Sequence, residues 1–380
     1  MRGAVAVAVL LLSPSPSVLL AQDGGASAEP ARSVVRRHAE HCSSLYAECV
    51  TKGEAMRRAV RELLAAPGER TLREARAAWA AARVVYGETE ALRFRGGPID
   101  AIEPLLNAWP VDEAYIDHVV GRPDAGLVND RRGFPVLGAE VLCAANERGG
   151  ETNVCVGWHA IEFLLWGQDL DPAGPGNRPA SDFADGAAGA ARRREYLTIV
   201  VDLLVNQLTS LREAWAPDAP ARRRFESDVA GSVRAMLTGA AVLTAFEMCG
   251  ERLAVAFETR DQEQEHSCFS DTTCDDLVAD QRGVMAVFAD DRGPAGAPDL
   301  LSLVRAKDPA AADHLRRTLD ETLRALRAIP APFDRAFLGA DDAPGRRAMR
   351  AAMEALEQQT EAITIAGRLL GHELPLRPGN

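Results

Sequence analysis

The chain has little that would build a β-sheet. Aromatic residues make up 5% of its 380 residues, and stretches of alternating apolar and polar residues are nearly absent. Half-buried strands carry that alternation, so its absence sets aside β-sandwiches and barrels and leaves an all-α fold. A basic excess is missing too. The 43 Lys and Arg face 55 Asp and Glu, for a net charge of −12. An acidic chain is a poor match to a polyanion, so nucleic acid is not an expected partner. No segment beyond the N-terminus reads as a long uncharged apolar run, so no transmembrane anchor is expected. C-x-x-C is absent, which removes a thioredoxin-like redox motif and a c-type haem site. H-E-x-x-H, H-x-x-E-H and G-x-S-x-G are absent as well, so the familiar helix-borne zinc-protease sites and the hydrolase nucleophile elbow are missing.

What is present begins with a leader. Met1-Arg2, the apolar run Ala4 to Leu12, the Ser/Pro stretch through Ser17 and Val18 to Ala21 have the layout of a secretory signal peptide over residues 1–21. Pro14 and Pro16 interrupt the run, which is too short to span a bilayer. Cleavage is expected near Ala21, with a periplasmic or secreted mature chain. An oxidising compartment permits disulfides, and the seven cysteines leave at least one thiol over. Cys143 and Cys155 flank a turn-like segment with Gly149-Gly150, and Cys268 and Cys274 share a polar, turn-prone stretch. Both pairs are disulfide candidates. Cys42 and Cys49, two turns apart on one helix, are separated by about 10 Å along its axis, too far to bridge.

The rest reads as helices joined by Pro/Gly loops. Long helices are expected at 34–65, 71–94, 153–167, 190–215, 219–259, 275–289, 308–328 and 344–370, with short ones at 99–107, 112–120, 136–146 and 299–305. In the second of these, Leu72, Ala75, Trp79, Ala82 and Tyr86 step by three and four, as a buried helix face does. A chain of this length suggests two bundles. The expected division is 30–170 for the first, a Pro/Gly/Asp/Ala-rich linker at 171–189, and 190–375 for the second. The runs Arg192–Arg194 and Arg222–Arg224 read as solvated helix faces, and His38 and His41 as surface or locally bonded residues.

Three constellations could carry chemistry. His159 and Glu162 are three apart on an apolar helix, one turn from each other on the same face. An imidazole and a carboxylate placed so can bind a metal, pass a proton, or form a buried hydrogen bond. Glu90 and Asp100 flank the bend Gly96-Gly97-Pro98, where carboxylates suit a hard or borderline cation, or else cap the helix and pair with Arg93 or Arg95. The third is a polar string holding Glu258, Asp261, Glu263, Glu265, His266, Ser267, Cys268, Ser270 and Asp271, a set of ligands or a solvated acidic connector.

Taken together, three ordered segments resemble the imelysin family, also called M75 peptidase-like. They are RVVYGETEALRFRGGPID (83–100), GWHAIEFLLWGQD (157–169), with the G-x-H-x-x-E signature, and ETRDQEQEHSCFSDTT (258–273). One departure is Cys274, where the family has a histidine. The resemblance implies two helical bundles with a site near their junction, and a metal ion, iron first and zinc or copper as alternatives. It also implies a part in iron uptake or handling beside other periplasmic uptake components. The implied ligands are His159, Glu162, Glu90 and Asp100, with Arg93, Gly157, His266, Ser267 and Asp271 around them. Two other functions stay open: a metallopeptidase of the M75 type, and a metal-free module for an organic ligand or partner protein centred on Trp158, Phe94 and Arg93.

Overall fold

A computed structural model describes residues 28–289 and 297–378; the leader at 1–21 lies outside the described residues. The described residues are all-α, without a strand, the nearest approach being one isolated bridge between Val119 and Arg122. The principal helices are α1 (Ala28–Ala65), α2 (Glu69–Gly87), α3 (Gly157–Trp166), α4 (Ala190–Ala214), α5 (Val229–Thr259), α6 (Thr273–Phe288), α7 (Pro309–Arg327), α8 (Phe333–Phe337) and α9 (Pro344–Leu369). The helix expected at 71–94 stops sooner. After Gly87 the chain tightens into a 3-10 turn at Glu90–Leu92, and Phe94 takes a positive φ of 63°.

Two apolar cores organise the helices. The first is filled from α1, α2, α3 and α4, the second from α5, α6, α7, α8 and α9. α4 therefore packs with the N-terminal helices: Tyr196, Leu197, Val200, Leu204 and Leu208 all belong to the first core. The cores are not cut at one point in the chain, since Cys268 and Phe269 join the first and Val34, Val35 and Ala91 join the second. α3 is buried all round, as a helix with an apolar surface on every side must be. α5 is a correction to the sequence reading. It is long and apolar enough to cross a membrane, but 61% of its most apolar window is buried inside the protein. Its apolarity serves the second core. Over Leu243–Ala254 its hydrogen bonding widens to the π pattern, which is rare and recurs at functional sites.

All seven cysteines are free, and Cys143 lies close enough to Cys155 for its charge to act on that thiol. The Cys155 sulfhydryl points to the Leu142 carbonyl at 3.4 Å, and Cys268 belongs to the first core while Cys274 packs against the second. The arginine run at 192–194 is not a solvated face. Arg192 and Arg193 are buried, the first on the carbonyls of Leu127, Val128 and Phe134, the second on Asp117. His38 and His41 are buried as well.

Candidate functional site

The cores meet across a layer of buried polar side chains. α3 supplies His159 and Glu162, and its first residue fixes where it begins. Gly157 has a φ of 84°, and a Cβ there would lie 2.4 Å from the Leu106 carbonyl oxygen. Only glycine accepts both that backbone and that approach. The next residue, Trp158, donates its backbone N–H to the same carbonyl at 2.8 Å. One turn on, His159 Nδ1 and Glu162 Oε2 are 2.8 Å apart. The other Glu162 oxygen accepts from the Ser270 amide at 2.9 Å and its hydroxyl at 2.7 Å. Burial pushes Glu162 up to about 8 against those two bonds.

The late loop supplies a second imidazole. His266 lies edge-on to His159 with ring centroids 4.8 Å apart. Its Nδ1 is 3.1 Å from Asp276 Oδ2, an oxygen that also accepts from the Ser267 hydroxyl at 2.6 Å. Arg83, from the buried face of α2, reaches one nitrogen of each ring. Its Nη2 is 3.5 Å from His159 Nε2, 3.4 Å from His266 Nδ1 and 3.1 Å from Asp276 Oδ2, and its Nη1 donates to Asn107. Burial first, then neighbouring arginines, hold both imidazoles well below the ordinary histidine range. Asp276 stays ionised in spite of burial because Arg83 and His266 hold its carboxyl far below the usual carboxylate range.

Next to this lies a second arginine–carboxylate group. Arg93 and Arg252 both donate to Glu90 Oε2, at 2.7 and 2.8 Å, and Arg252 also donates to Asp280. The π stretch of α5 carries Arg252 to this position. The turn that holds Glu90 sits tightly on α6, where a Cβ on Gly283 would come 2.3 Å from the Glu88 carbonyl. A cleft of about 390 Å³ opens beside these groups. Arg93, Arg252, His266 and Trp109 share its lining with Glu103, Glu147, Glu151, Glu247 and Glu251. Acidic groups thus outnumber basic ones in a cleft that reaches His266.

The structure brings His159, Glu162, Glu90, Arg93, His266 and Ser267 into this layer and leaves two expected residues outside it. Asp100 accepts from the amides of Phe94, Arg95 and Gly97 at 2.8, 3.2 and 2.8 Å. It is a loop cap with both oxygens engaged. Glu90 is already held by two arginines. The four-ligand set of His159, Glu162, Glu90 and Asp100 therefore does not close around a common point. Asp271 belongs to a different group, with Asp169 and Asp334. The residue reading passed over Arg83, Asn107, Arg252, Asp276 and Asp280. Arg83 had left a signal: it follows Trp79 by four on the apolar stripe of α2, and a charge there needs a buried partner.

A family model for the imelysins (peptidase M75) matches residues 43–363. The chain belongs to the imelysin family. One relative is iron-regulated protein A of Synechococcus elongatus. It is 24% identical over 281 residues, which span 71% of this chain and 67% of that protein. The crystal structure of a candidate iron-regulated protein A precursor from Parabacteroides distasonis superposes with a TM-score of 0.71 at 18% identity. The match covers 92% of this imelysin and 97% of that chain. At that identity the likeness is one of fold.

Proposed function

We propose that this imelysin is an exported iron-handling protein that takes a metal cation as cargo between His159 and His266. The observation that carries the reading is the pairing of each imidazole with a carboxylate through Nδ1, His159 with Glu162 and His266 with Asp276. Metal-binding histidines are oriented this way, with one ring nitrogen on a carboxylate and the other turned to the metal. The low basicity of both rings keeps them neutral, the form that ligates. Glu162 holds a proton up to about 8. Arg83 has only donors, so His159 Nε2 accepts there and the imidazole proton sits on Nδ1, donated to Glu162 Oε2. A cation at Nε2 puts positive charge beside the pair and drives off the proton that Glu162 holds, so binding releases acid. Arg83 lies against both rings and must swing aside for the cation to reach Nε2 of His159. The acidic cleft gives a cation an electrostatically favourable approach to His266. Iron is the first candidate because the matched relatives carry iron-regulated names. Export rests on the signal-like residues 1–21.

The test is calorimetric titration of the metal-free chain with ferrous iron and zinc, run in two buffers of different ionisation enthalpy. One stoichiometric ion with proton release is expected, and affinity at least tenfold lower in His159→Ala/His266→Ala. Equal affinity in the double variant would remove both histidines from the site.

A further inference from the structure

A second group of side chains, on the other side of the late loop, has a chemistry of its own. Asp169 follows α3, Asp271 lies in the loop before α6, and Asp334 lies in α8. One oxygen from each can be chosen so that all three lie within 4.8 Å of one another, which no other group of three histidine, cysteine or acidic residues achieves among the described residues. Glu265 adjoins them, close enough for the charges of Asp334 and Asp271 to act on it. Glu265 and Asp334 are fully buried and Asp169 nearly so. The carboxylate oxygens of Asp271 and Asp334 have no donor apart from a neighbouring carboxyl, and Glu265 has only the Thr273 hydroxyl and the Asp334 carboxyl beside it. Asp169 has its oxygens occupied by the Asp171 amide and the Gln262 side chain. The Thr273 hydroxyl stands beside Glu265 and eases its burial slightly. As ionised groups, Asp334 and Glu265 have nothing to give each other, since a bond between two carboxyls needs a proton on one of them.

Buried carboxylates left without donors are costly, and native proteins pair them or place them around a cation. Two completely buried acidic side chains, Asp334 and Glu265, set against further carboxylates with one hydroxyl as their single non-acidic partner, are the feature that points to an ion. The donors are all oxygen, which selects a hard cation over the softer ions that favour imidazole or thiolate. They come from three separate chain segments with no regular spacing. That irregularity suits calcium, which accepts six to eight oxygens in flexible geometry, better than magnesium with its strict octahedron. Asp169 also lines a surface cleft of about 370 Å³, a route for ion entry.

We propose that Asp169, Asp271 and Asp334, backed by Glu265, form a second cation site, an all-oxygen site for a hard divalent ion of the calcium class that clamps the two cores together. The clamp follows from the placement of its donors. Asp169 directly continues the helix whose residues fill the first core, while Phe333, Ala336 and Phe337, around Asp334, fill the second. The site shares no residue with the His159–His266 layer, although the charge of Glu162 reaches Asp271.

The experiment uses the full chain, stripped with chelator, and follows both calorimetry and thermal melting with Ca²⁺ and then Mg²⁺. One Ca²⁺ per chain is expected, bound more tightly than Mg²⁺ and raising the melting temperature, because an ion that binds only the folded form stabilises it by mass action. Asp271→Asn/Asp334→Asn should bind Ca²⁺ at least tenfold more weakly. It should also melt higher than the wild type in chelator, because two like charges are gone. Asp334→Asn alone gives the same two readings with less perturbation. His159→Ala/His266→Ala should keep Ca²⁺ binding intact, which separates failure of this site from failure of the iron site. If millimolar Ca²⁺ neither binds nor shifts melting while the Asn variants still melt higher, the cluster holds protons and the proposal falls. Unchanged Ca²⁺ affinity in the Asn variants overturns it equally.

Discussion

Asp276, Glu90 and Asp280 in the histidine layer each face an arginine, whereas Glu265, Asp271 and Asp334 face one another. The two regions are neighbours in sequence, since Glu265 and His266 are consecutive, yet they solve the burial of charge in opposite ways. In the layer the counter-charge is covalently part of the fold, supplied by Arg83, Arg93 and Arg252. In the acidic pocket it is not, so the pocket stays sensitive to protons and cations in solution. The difference teaches where a loose cation is needed for stability, at the pocket, and where it must compete with a built-in one, at the layer.

The strongest way to break this contrast is to remove the built-in cation. Arg83→Met leaves Asp276 buried without its counter-charge, and losing one partner of a buried pair costs about 3–5 kcal/mol. Denaturant unfolding should show a loss of that size in the metal-free protein, with part of it restored by the ion that binds His159 and His266. A loss below about 1 kcal/mol, the scale of an exposed ion pair, would mean that Arg83 is not the counter-charge of the layer.

Asp100→Ala tests a carboxylate that belongs to neither region. It withdraws the acceptor from three loop amides and should cost about 1–3 kcal/mol, the penalty for leaving donors unmet. Metal affinity, measured by the same titration, should not change. A tenfold drop would return Asp100 to the ligand set.

The smallest effect is a slope with pH. In an unfolded chain these aspartates lose their protons near pH 4. Burial first, then the charge of Asp169, pushes Asp271 up to about 7 and Asp334 up to about 6, and Glu265 moves the same way. Between those limits the folded chain binds the more protons, so the pocket's contribution is complete below about pH 4 and is lost as pH rises through about 6 to 7. Asp276 in the layer runs the other way. Its carboxyl is held down, so its contribution is present above about pH 4 and lost only in acid. Melting temperatures in chelator should therefore fall from about pH 5 to about pH 7.5, and Asp271→Asn/Asp334→Asn should make the fall shallower, leaving the part that Glu162 and Asp280, both pushed up to about 8 by burial, contribute. A wild-type curve that rises across that interval would show the pocket does not set the slope.

Much of this was legible in the residues. Most of the long helices sit close to the spans expected from periodicity and from Pro and Gly, because helix boundaries depend on local backbone chemistry. The second stops at Gly87, however, the span 219–259 breaks at Asp228, and the short helix Phe333–Phe337 was not expected. His159 and Glu162 could be paired in advance because three residues on a helix is a local distance. The exceptions share a cause. Arg192 and Arg193 looked solvated because their partners, Asp117 and the carbonyls of residues 127, 128 and 134, come from distant chain. The apolar run of α5 gives the same local signal whether lipid or a protein core covers it. Cys268 and Cys274 are close in sequence but turned into different cores.

By itself, then, the sequence determined the all-α class, the order of the long helices, the imelysin family and the signature pair on α3, all matters of local pattern. Only the tertiary structure decided which charges meet. It put Arg83 against two histidines that are 107 residues apart, gave Asp100 to a loop, and gathered Asp169, Asp271 and Asp334 from three segments. Coulomb and coordination energies depend on distance through space, and spacing along the chain fixes that distance only within one helix or turn.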